Sequence, residues 1–145
     1  MRPSRCGLLR DRLSLPVIAA PMFLVSGPEM VIGASRAGIA GSFPAANCRT
    51  SEELDNWLAA IATAIGNRDG AVDGAAPWGI NLVAHRLNKR LGADLELAVR
   101  YKVPLVITSL GGPREVVEAV HGYGGLVFAD VVSVEHARKA AALGV

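Results

Sequence analysis

Short apolar runs alternate with segments of helical period five times along this chain, and no other feature constrains its fold as tightly. The runs are Leu15 to Met22 (LPVIAAPM), Ile39 to Phe43 (IAGSF), Pro77 to Ala84 (PWGINLVA), Val103 to Leu110 (VPLVITSL) and Gly125 to Val131 (GLVFADV). A continuous apolar run bounded by turn residues suits a strand covered on both faces, although periodicity alone does not separate it from a buried helix segment. In the first run Pro21 decides for a strand that stops abruptly, because it lacks an amide hydrogen and disfavours helix at Ala20. Strands regularly separated by amphipathic helices build a parallel sheet through right-handed crossovers. The sequence therefore predicts an α/β fold of about five β/α units.

The intervening segments carry helix punctuation. Ser26 and Glu29 have the spacing of a capping box, Met30, Ala34 and Ala37 share a face, and Gly38 closes the helix. Thr50 and Glu53 open the clearest helix, with Leu54, Trp57, Leu58, Ile61 and Ile65 on one side and Gly66 at its end. Asn67 to Ala76 is polar and glycine-rich, so a surface loop is expected. A fourth helix sets Leu91, Leu95, Ala98 and Val99 inward, and a fifth, with Pro113 at its first position, sets Val116, Val117 and Val120 inward. The last, Ser133 to Leu143, is expected to turn Val134, Ala137, Ala140 and Ala141 to the sheet. The chain then ends at Val145, where the next strand of the pattern is due.

Composition narrows the function classes. With 145 residues and a formal charge of +2, the chain suits one domain (1–145, with an N-terminal arm over 1–14) and shows no basic patch for nucleic acid. Arg2, Arg5, Arg10 and Arg12 ahead of an apolar stretch imitate an export signal, but Pro16 and Pro21 interrupt that stretch. No run approaches the ~20 apolar residues of a membrane span. Cys6 and Cys48 lack metal-ligand spacing, so no metal and a reduced, cytoplasmic protein are expected.

Taken in order, LPVIAAPM, PWGINL, VPLVITSLGGPREVVEAVH and GGLVFADVVSVEHARKAAALGV resemble the nitronate monooxygenase (2-nitropropane dioxygenase) family, from about Leu15 to Val145. The resemblance implies a partial (β/α)8 TIM barrel, the front five of eight units, related to FMN-containing enoyl-ACP reductases. It implies FMN as cofactor, an alkyl nitronate and O2 as substrates, and carbonyl compound and nitrite as products. The family's catalytic histidine and its phosphate-binding glycines belong to later strands, so the catalytic residue is expected beyond Val145.

By the same resemblance Ala20, Pro21 and Met22 run beside the flavin ring and Asn81 hydrogen-bonds it; Asp130 stands at the flavin edge, where some relatives carry lysine. Each has a plainer reading: Ala20 to Met22 as a strand terminus with a packing methionine, Asn81 as a partner for backbone groups where a strand frays. His85, Thr108 and Ser109, at the ends of the third and fourth strands, are the candidate substrate-pocket residues. For His85 a solvated loop histidine is the stronger reading, and Arg86, Lys89 and Arg90 either attract an anion or form a solvated cluster. His121 and His136 sit on helices and suggest no chemistry.

Two other functions stay open. One is an NAD(P)H-dependent flavin oxidoreductase acting on a quinone or enoyl thioester. The other is a non-catalytic, truncated barrel fragment, in which the unpaired first and fifth strands invite association with a second chain. A homo-oligomer is compatible with all three.

Overall fold

The computed structural model describes residues 7–111 and 114–145. Cys6 and the helix-opening role of Pro113 lie outside them. Five strands, β1 (Ile18–Ala19), β2 (Ala40–Pro44), β3 (Gly79–Val83), β4 (Leu105–Ser109) and β5 (Leu126–Ala129), pair in chain order. Every pairing is parallel. A short α1 (Gly7–Arg10) precedes them, and α2 (Pro28–Arg36), α3 (Ser51–Ile65), α4 (Leu91–Arg100), α5 (Arg114–Gly122) and α6 (Val134–Ala142) follow the successive strands. This is the expected α/β fold, a partial (β/α)8 TIM barrel of five units.

Side chains alternate across each strand, so parity assigns them to two faces. Phe43, Ile80, Leu82, Val106 and Val127 point to the helices and join Leu54, Leu58, Ile61, Leu97, Val116 and Val120 in the main core. Fully burying each such side chain contributes about 1.5–3 kcal/mol. On the other, concave face Leu105, Ile107 and Leu126 form a second cluster, against which Ile18 and Leu9 of α1 pack. Gly41 lets α2 lie directly on β2, since a Cβ there would fall 2.5 Å from the Val31 carbonyl oxygen.

Local punctuation holds in part. Thr50 Oγ1 accepts from the Glu53 amide at 3.1 Å, and Glu53 Oε2 accepts from the Arg49 amide at 2.8 Å. Gly38 and Gly66 take positive φ at helix ends. Ser26, however, does not cap α2: the N-cap is Gly27, without a side-chain bond, and Ser26 Oγ instead accepts from the Met22 amide at 2.9 Å. Among the described residues three further expectations are corrected. Leu15 to Met22 forms only two residues of ladder, and Leu15 and Val17 are exposed, because β1 is an edge with one neighbour. Helix α6 buries no residue and Val134 is 68% exposed, since no strand lies beyond β5 for it to cover. Ala75 and Ala76 close the predicted surface loop but are buried beneath the sheet's amino end.

Candidate functional site

The register of the sheet lays out the concave face row by row. Pro44 pairs with Asn81, Asn81 with Ile107, and Ile107 with Phe128. The β1 ladder ends at the Ala19–Gly41 pair, and Met22 follows three residues beyond it, its carbonyl accepting from Asn47 Nδ2 at 3.2 Å. The next row towards the carboxyl ends holds Val83 and Ser109, and Asp130, whose amide donates to the Thr108 carbonyl at 2.8 Å, continues it. Met22, Asn81, Ser109 and Asp130 thus all lie at the carboxyl ends of their strands, and Ala20 directly follows the last residue of β1.

Asn81 is 8% exposed and its amide is oriented by its neighbours. Nδ2 donates to the Ile107 carbonyl at 3.0 Å and to Ser109 Oγ at 3.2 Å. A carbonyl accepts only, so the nitrogen must face β4. With both hydrogens engaged there, Oδ1 is the atom left to receive a bond from a ligand. Exposed Phe128 extends an apolar floor beside it, next to Ile107.

Thr108 departs from the grouping with Ser109. Its parity is that of Val106, on the helix side, and its hydroxyl donates to the Phe128 carbonyl at 3.2 Å. His85 stands past the end of β3, where its Nδ1 accepts from the Leu87 amide at 3.3 Å, placing the proton of the neutral ring on Nε2.

The loops above the rim are tied to one another by Asn47, which the sequence did not single out, and by Arg90, which is neither part of a solvated cluster nor free for an anion. Asn47, in the turn after β2, bonds three backbone groups of the β1–α2 loop. Arg90 reaches back from the β3–α4 loop to the Cys48 carbonyl at 2.6 Å and pairs with Asp94 at 3.0 Å. Its Nε is buried without a partner among the described residues. Burial pushes the Asp94 carboxyl above its ordinary value, with the Arg90 charge opposing. Cys48 is pushed up to about 12, first by burial and then by Glu53, so its thiol stays protonated. The available signal for Asn47 was an amide standing alone in the apolar stretch FPAANC at a strand's carboxyl end.

Clefts open between these loops. One of about 440 Å³ lies between Ala45, Val83, His85, Arg90 and Asp94. A second, about 510 Å³, is lined by His85, Arg86, Gly111, Arg114 and Glu115. A third, about 540 Å³, lies between Ser109, Asp130, Val132 and the His136 and Lys139 side of α6. No group of metal-ligating side chains occurs among the described residues.

Parallel strands in sequential order, with helices on the outer face and polar groups gathered at the carboxyl ends, define an arc of the (β/α)8 barrel class, whose ligands bind at that rim. The solved structures of FabK from Thermotoga maritima share this fold. One superposes with a TM-score of 0.78 at 19% identity, covering 99% of this chain and 42% of its own. A mutant of the same protein gives 0.76 at 19% identity, covering 96% and 42%. This chain therefore spans well under half the length of the structures it matches. No protein-family profile and no curated protein sequence matches it.

Proposed function

We propose that this chain supplies the first arc of an FMN-dependent oxidoreductase that converts alkyl nitronates to carbonyl compounds and nitrite with O2. The observation that carries this reading is Asn81: an amide locked by β4 so that a single acceptor, Oδ1, remains at the ligand rim. That acceptor suits an N–H on the edge of a flavin ring, and Ile107 and Phe128 give the ring an apolar floor. Ala20, Pro21 and Met22 would run along the opposite edge, and Ser109 and Asp130 would lie one row nearer the solvent. The cofactor would supply the electron transfer, and the protein its orientation and the exclusion of water. Donors for the FMN phosphate would come from later strands, as would the catalytic histidine.

In this chemistry two nitronate anions and one O2 give two carbonyl groups and two nitrite ions: each nitronate carbon gains one oxygen atom of O2 as its C–N bond breaks, and the nitrogen leaves with both of its oxygens as nitrite. His85, beyond β3, would meet the nitronate anion from the rim. The test is nitrite release from propionate 3-nitronate by the full gene product carrying these residues. Nitrite formed in step with oxygen consumed supports the reading; FMN-loaded protein that releases none sinks it.

The cleft between His85, Arg86 and Arg114 favours a second reading, because its cationic lining suits a nucleotide phosphate. On that reading NAD(P)H reduces the flavin and a quinone or enoyl thioester reoxidises it. Steady-state oxidation of NADH or NADPH without nitronate would select it over the first.

A further inference from the structure

We propose that Asn47 is the positioning residue of this site, holding the backbone of Met22–Ser26 where a cofactor ring would meet it; the inference rests on the flavin reading. Asn47 Oδ1 accepts from the Leu24 amide at 2.8 Å, and Nδ2 donates to the Met22 carbonyl at 3.2 Å and the Ser26 carbonyl at 2.8 Å. One side chain thus satisfies three backbone groups within five consecutive residues. Leu24 at its centre has φ +60°, a left-handed conformation costly for a leucine, which the Oδ1 bond helps to hold.

Hydrophobic packing does not hold this loop. Phe23, Leu24 and Val25 are 63%, 78% and 68% exposed. With little apolar burial, a loop's local stability rests on its hydrogen bonds. Among the described residues, those besides the Asn47 contacts are internal to the loop: the Val25 and Ser26 amides to the Met22 carbonyl, and the Met22 amide to Ser26 Oγ. Asn47 is therefore the link between the loop and the rest of the rim. Asn47 is itself steadied through its neighbour, since Arg90 Nη1 grips the Cys48 carbonyl from the β3 side. Because Met22–Ser26 follows the carboxyl end of β1, on the same rim as the end of β3 that carries Asn81, a shift of this loop moves the backbone at the ring edge.

The experiment compares Asn47→Ala and Asn47→Asp with wild type in the full gene product. Asn47→Asp keeps the volume and the acceptor for Leu24 but turns a carboxylate oxygen toward two carbonyls. Chymotrypsin cleavage at Phe23 and Leu24 of the apoprotein should rise roughly ten-fold in both variants. FMN affinity should fall roughly ten-fold, with a changed visible circular dichroism of the bound flavin. A residue that only stabilised the fold would lower the melting temperature and leave the flavin spectrum alone. Wild-type protection of the loop in Asn47→Asp overturns the inference, as does faster cleavage with unaltered flavin affinity and spectrum. If wild type takes up no FMN, the flavin reading falls first and carries this one with it; FMN bound equally by all three proteins sinks this inference alone.

Discussion

Asp94 is the residue whose environment makes the sharpest pH statement. Burial raises its folded-state pKa above the ordinary 3.8, so the folded chain holds that proton more tightly than the unfolded one. Its contribution to stability is therefore complete below pH 3.8 and lost as pH rises through the folded value. The denaturation midpoint of wild type, measured against Asp94→Asn, should decline as pH is raised above about 4, and a constant difference would refute the assignment. Cys48 makes a second prediction: buried and with its pKa near 12, it should resist iodoacetamide until the protein unfolds, followed by peptide mass spectrometry. At this scale the sequence was least legible. Alternation along β4 separates Ser109 from Thr108, but a neighbouring pair of hydroxyls looks alike until register fixes which one faces the rim. Asn47 and Asp94 act through partners 21 to 25 and 4 residues away, and only the former distance hides the contact from a linear reading. Asp94 hides because a carboxylate in the first turn of a helix also has a purely local explanation.

Among the elements, α3 was read almost completely, because its capping box and its apolar stripe state the same helix independently. Thr50→Ala should cost about 1 kcal/mol in a denaturant titration, the usual value of a lost N-cap. Gly41→Ala should cost about 2 kcal/mol, since the added methyl meets the backbone of Val31, which cannot swing aside as a side chain could. A wild-type midpoint for Gly41→Ala would mean that α2 and β2 are not in backbone contact. The elements misjudged from sequence were the outermost ones, and for one reason. An apolar run or stripe reports that a surface is suited to burial, whereas burial itself needs a neighbour. β1 has one neighbouring strand and α6 has no strand to cover, so Val17 and Val134 stay exposed.

For the whole molecule, the alternation of strands and helices was enough to give the parallel order, because short crossovers keep consecutive strands adjacent. What the five units leave open is the concave face and the outer edges of β1 and β5, with Phe128, Val131 and Val132 exposed along it. A 145-residue polypeptide of this sequence, expressed by itself, should self-associate, and light scattering that found a sharp monomer would contradict this. The central claim is that Asn81 presents its oxygen to a flavin at the carboxyl rim. FMN titration of the full gene product and of its Asn81→Ala variant, read by quenching of flavin fluorescence, tests it most directly. One FMN bound per chain by wild type, with affinity lowered roughly ten-fold in the variant, is the predicted result. Flavin fluorescence left unquenched by wild type, or affinity unchanged by loss of the amide, would contradict it.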